Sequence, residues 1–156
     1  MIHMNFNKVI LALLVVFILT AGTSIIFAEE VNVSGISFEV PGNYSVDKST
    51  DELCVLKNNL SDDYTISVVL GESSDSTIEK HSRQASGFTL LSEENYTSTN
   101  NISVNQQNFM KNESYFSFYT FDVDSSYYMV IYTFPVHDDD LSDQVSPVND
   151  IIDSIH

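Results

Sequence analysis

The segment "VHDDDLSD", residues 136–143, carries the densest run of groups able to bind a cation or move a proton: His137, Asp138, Asp139, Asp140 and Asp143. Carboxylates beside an imidazole are the donors that a hard divalent ion or a metal-assisted hydrolase would use. Calcium, however, needs six to eight oxygens from a loop that folds around it, commonly with glycine at the sharp turn. This segment has no glycine and follows no EF-hand spacing. Asp140 capping a short helical turn, with Asp143 near the positive end of its dipole, accounts for the same residues. The remaining candidates stand apart: His81 beside Lys80 and Arg83 on a short helix, and His156 as the last residue. Cys54 is the sole cysteine and sits between apolar neighbours in "ELCVLK", where it reads as a small buried hydrophobe with no disulfide partner. There is no Gly-x-Ser-x-Gly elbow and no Cys/His signature. No catalytic, cofactor-binding or metal-ligating residue is therefore assigned, and no cofactor is expected. An exported hydrolase or metal-dependent enzyme using His137, Asp138, Asp139 and Asp140 is the alternative reading.

Asparagine supplies the one recurrent chemical signal. Six Asn-x-Ser/Thr sequons occur, at Asn32, Asn43, Asn59, Asn95, Asn101 and Asn112. With 11 asparagines and 29 serines or threonines between residues 29 and 156, chance gives about two or three. Each falls at an expected turn or strand end, where a glycan would stand in solvent, although Asn and Ser both favour turns for their own reasons.

These residues belong to a chain of two unlike parts. The opening "MIHMNFNKVILALLVVFILTAGTSIIFAEE" has one cation, Lys8, followed by a charge-free apolar run from Val9 to Ala28. Residues 1–28 read as a secretory signal peptide or a membrane anchor. Gly22 and Ser24 suit the −3 and −1 positions of a cleavage site, whereas the 20 residues from Val9 to Ala28 would span about 30 Å as a helix, enough for an uncleaved anchor. Both readings place Lys8 inside and Glu29 and Glu30 outside. Residues 29–156 then form one extracytoplasmic domain, secreted or held at the membrane by the N-terminal segment alone, of a length that buries a core without disulfides. Without Lys8 that part has five basic residues against 22 acids, a formal charge of −17. Such a surface repels nucleic acid and anionic lipid. The partner expected is a protein or a small ligand.

Alternation dominates the pattern along this domain. Ile36, Phe38 and Val40 share one face of a strand that "PGN" terminates, so that "GISFEVPGNYSV" reads as an opening hairpin with Tyr44 folded back over the core edge. "ELCVLK" and "YTISVVL" form a second hairpin across "NNLSDD". Ser76 with Glu79 predicts a capping box, and Ile78, Ser82 and Ala85 one side of a short helix closed by Gly87. "FTLLS" and the polar "NISVNQQNFM" read as strands, the second an edge or solvent-facing one. Nine of the 15 aromatic residues outside the leader crowd into residues 114–134. Apolar residues fill both phases there, so a hairpin turning at Asp124-Ser125-Ser126 is expected at the centre of a sheet covered on both sides. "SPVNDIIDSIH" predicts a helix capped by Ser146, with Pro147 first and Val148, Ile151, Ile152 and Ile155 inward. The fold class is α+β: a mainly antiparallel sheet of six to seven strands covered by a short middle helix and a C-terminal amphipathic helix.

The opening "FEVPGNY", the late aromatic hairpin and the terminal helix ending in "IIDSI", taken in this element order, resemble the PsbP, Mog1 and DcrB-like group of small α+β sandwiches. The likeness spans the whole exported region, with Tyr44 where the group commonly has tryptophan. It implies the fold alone: members of the group serve as accessory or interaction modules in several settings, and no catalytic set of theirs maps onto these residues.

Overall fold

The computed structural model describes residues 28–72, 75–136 and 146–156. Its elements are β1 (Glu30–Val33), β2 (Ile36–Glu39), β3 (Tyr44–Ser49), β4 (Leu53–Asn58), β5 (Thr65–Leu70), α1 (Ser76–Ala85), β6 (Thr89–Thr97), β7 (Ser103–Lys111), β8 (Ser114–Val123), β9 (Ser126–Pro135) and α2 (Pro147–Asp153). Seven strands make one antiparallel sheet in the order β3, β4, β5, β9, β8, β7, β6, while β1 and β2 form a separate ribbon. The α+β class and both helices agree with the sequence. Residues 1–27, all but the last residue of the expected leader, lie outside the described residues, and among the described residues no helix is long and apolar enough to cross a membrane.

The aromatic hairpin occupies the middle of the sheet. Asp124 and Ser125 both take positive φ (50° and 69°), the mirror-image turn that matches the twist of adjoining strands. One phase of the hairpin, Tyr119, Phe121, Tyr128, Val130, Tyr132 and Phe134, joins the main core. Over that face lie the β1–β2 ribbon and α2, which contribute Val33, Ile36, Phe38, Val148, Ile151 and Ile152, all 2% exposed or less. Ser146 Oγ accepts the Val148 N–H at 3.3 Å and Pro147 opens the helix, as its sequence predicts. The other phase faces α1, where Phe88, Phe109, Phe116 and Phe118 meet edge to face.

Four local expectations are corrected. The strand at Ile36 pairs backward with β1, Val31 opposite Phe38, so "VPGNY" is no hairpin loop. It carries the chain from the ribbon to the sheet, with Tyr44 N–H bonded to Pro41 O at 2.9 Å and neither Gly42 nor Asn43 at positive φ. Helix α1 is capped by Asp75 and not by Ser76, since its Oδ1 accepts from Thr77 N–H and Ile78 N–H at 3.0 and 3.1 Å. The expected inner side of α1 points outward: Ile78 is 64% exposed, and Ser82 and Ala85 are exposed too. Finally, the polar β7 is not an edge. It lies between β6, the true edge, and β8, and its Gln107 is 1% exposed. Its amides bond one another and their neighbours, which is how polar side chains survive inside a sheet.

Candidate functional site

His137, Asp138, Asp139, Asp140 and Asp143 lie outside the described residues. Of the other candidates, His81 is exposed on α1, and His156 comes within 3.6 Å of Glu30 at the surface. Cys54 is fully buried in β4 opposite Val68. Burial, and secondarily the nearby Glu29 charge, pushes its thiol up to about 11, so it is protonated and unreactive at neutral pH. Among the described residues no three histidines, cysteines or carboxylates converge to hold a metal.

What the fold does assemble is a cleft of about 730 Å³ at the meeting of ribbon, corner and terminal helix. Glu29, Glu39, Asp150 and Asp153 line it, with Pro41, Gly42 and Tyr44 of the corner, and among the described residues no basic side chain does. Backbone pairing fixes these carboxylates. Val40 N–H bonds to Glu29 O at 2.8 Å, and Glu39 N–H donates to Ser154 Oγ at 2.9 Å, tying β2 to the end of α2. Asp150 and Asp153 are three apart on α2, opposite its buried isoleucines. Asp153 also accepts the Thr99 N–H at 2.9 Å. Four like charges on one concavity set up a negative potential that a cation relieves. Sequence reasoning missed the cleft because its acids come from two distant regions, Glu29 and Glu39 in one and Asp150 and Asp153 in the other, each unremarked in isolation.

A second polar cluster holds α1 to the sheet. Arg83 donates to Gln107 Oε1 at 2.8 Å and to Glu79 Oε2 at 3.2 Å, with its guanidinium carbon 3.8 Å from the Phe118 ring centre. Tyr127 OH donates to the same Glu79 oxygen at 2.8 Å. Lys80 bridges to Glu93 at the edge. That bridge, aided by amide donors from Asn105 and Gln107, holds the Glu93 carboxyl below its ordinary value against the opposing effect of burial. No residue of α1 is buried. These contacts fasten the helix to the sheet, and only Asn105 Oδ1, buried beside them, has no hydrogen-bond partner among the described residues.

All six sequon asparagines are exposed. Asn32 lies in β1, Asn43 in the corner, Asn59 just after β4, Asn95 in edge strand β6, Asn101 between β6 and β7, and Asn112 between β7 and β8.

No family model matches the chain. No curated protein matches it either. Solved structures do. A solution structure of cyanobacterial PsbP from Synechocystis sp. PCC 6803 superposes with a TM-score of 0.55 at 16% identity, covering 86% of this chain and 95% of that one. A crystal structure from Bacteroides thetaiotaomicron VPI-5482 aligns with a TM-score of 0.44 at 10% identity, over 78% of this chain and 44% of the other. The first likeness shows a PsbP-like fold, in keeping with the resemblance carried by "FEVPGNY" and the terminal helix.

Proposed function

We propose that the chain is a non-catalytic, exported or membrane-anchored accessory domain whose acidic cleft docks a basic segment of a partner protein. The observation that carries this reading is the cleft itself: four carboxylates around about 730 Å³ with no basic side chain among the described residues that line it. The net charge of −17 beyond the leader points the same way, because it attracts basic partners over a Debye length and repels nucleic acid and anionic lipid. The apolar run behind Lys8 supports export. A PsbP-like fold agrees with an accessory role, although fold alone assigns no chemistry.

Calorimetric titration of the domain with a lysine-rich peptide and a glutamate-rich peptide of equal length tests the reading. The basic peptide should bind and the acidic one should not, with affinity falling as salt rises. Glu39→Gln combined with Asp150→Asn should weaken binding roughly two- to tenfold, as for two partly solvated ion pairs. Binding unchanged in that variant would show that the general surface charge acts and the cleft does not.

A further inference from the structure

The sequon asparagines differ from the other asparagines of the same chain in one respect that composition does not dictate. Eleven asparagines lie among the described residues, and seven are exposed. All six in sequons belong to those seven. Of the five outside sequons, Asn58, Asn100, Asn105 and Asn108 are half-buried and only Asn149 is exposed. Six asparagines drawn at random would all be exposed in about one draw in 66, so the preference of Asn for surfaces and turns, shared by all eleven, does not account for the separation.

Strand geometry explains how the exposure is secured. Residues i and i+2 of an extended segment share a face while i+1 points the other way. Val33 and Tyr44 are buried and Tyr96 and Ile102 half-buried, each between an exposed Asn and an exposed Ser or Thr. The apolar middle residue anchors the tripeptide, and the amide and hydroxyl stay in water together. At Asn101 and Asn112 the backbone takes positive φ (65° and 51°), which puts those amides at tight turns. None of the six lies in the central strands β5, β9 and β8, and all six are exposed, so attached sugars would extend into solvent away from the core.

We infer that these six asparagines are N-glycosylation sites, and that glycans cover the ribbon end, the β6 edge and the connecting turns. The co-reactant is an oligosaccharide linked through phosphate to a membrane lipid. In the transfer, the bond from the sugar's anomeric carbon to the phosphate oxygen breaks and a bond from that carbon to Asn Nδ2 forms. Nδ2 gives up one proton to a basic group of the transferase, and the lipid phosphate leaves with the electron pair of the broken bond. The inference rests on the export proposed above, because the donor and its transferase act on chains crossing a membrane.

Intact-mass and tandem mass spectrometry of the full chain, recovered from its native host in the fraction accessible to external protease, provide the test. The expected result is a mass above that of the polypeptide, with hexose-type additions at the six sequons and none at Asn149. Ser103→Ala and Ser114→Ala should each remove one glycan's mass while keeping Asn101 and Asn112, whose positive φ glutamine would strain. Exported chain at the bare polypeptide mass overturns the inference and leaves the export reading standing. Bare chain confined to the cytoplasm overturns both. A Ser103→Ala chain that keeps sugar on Asn101 removes the sequon as the determinant and the inference with it.

Discussion

Tyr44 shows how a single residue can be read correctly for an incomplete reason. The sequence predicts its ring folded onto the core edge, and it is buried there at 8% exposure, but it is the first residue of the sheet and no part of a hairpin loop. The missing information was β1, whose "EVNV" is too short and too close to the leader to stand out by periodicity. Cys54 was legible because a lone thiol among alternating apolar residues has few other fates. Its environment predicts an alkaline weakness. An acid whose pKa rises from 9.0 to about 11 on folding keeps its full contribution below 9.0 and loses it as pH climbs through the folded value. That loss approaches about 2 to 3 kcal/mol by pH 11. Tyr96, Tyr127 and Tyr132, pushed up chiefly by burial, add to the effect above their ordinary 10.0. In urea titrations, Cys54→Ala should therefore lose less stability than the parent between pH 8.5 and 9.5, where the thiol begins to ionise ahead of the tyrosines. Parallel losses would mean that the buried thiol makes no contribution.

At the scale of elements, the two helices were unequally readable. Helix α2 announces itself through an Oγ cap, a proline at its first position and three buried apolar residues in helical register. Helix α1 has no such stripe. What selects its inner side is the sheet beneath, where Gln107, Glu93, Tyr127 and the Phe118 face meet Glu79, Lys80 and Arg83. That complementarity joins residues 13 to 48 positions apart and has no periodic trace in the sequence. The acidic cleft stayed hidden for the same reason. Polar docking also makes α1 the more conditional of the two helices. Glu93 titrates below its ordinary 4.5, so the stability of its bridge to Lys80 is present above pH 4.5 and lost as pH falls through the lowered value. Salt screens the same partly exposed pair. Hydrogen exchange followed by mass spectrometry, corrected for the intrinsic exchange rate at each pH, should show the protection of amides 76–85 falling severalfold in acid or in molar salt, with 148–155 unchanged. Equal acceleration of both helices would mean that α1 opens only with the whole fold.

For the whole molecule, element order was the most legible property, because hairpin, helix, meander and helix can be counted from alternation and punctuation alone. The order of strands within the sheet was not, and one pairing decides it. The sheet is two meanders, β3 to β5 and β6 to β9, each made of sequence neighbours, and they meet only where β5 lies against β9. Thr65 there faces Thr133, 68 positions further on, and Val68 faces Val130, both of these valines fully buried. This junction dictates a timetable for folding. Each meander can collapse early from contacts between adjacent strands, but joining them closes a long loop at an entropic cost of about 4 kcal/mol before any pairing there is formed. The encounter of the two halves is then the rate-limiting event. In stopped-flow chevrons, Val130→Ala should slow refolding by most of its stability loss, whereas Val104→Ala, inside the second meander, should chiefly hasten unfolding. Until the halves meet, β5 and β9 each present an unpaired apolar edge, so a nascent chain that pauses at this step is in danger of pairing with another copy before it pairs with itself.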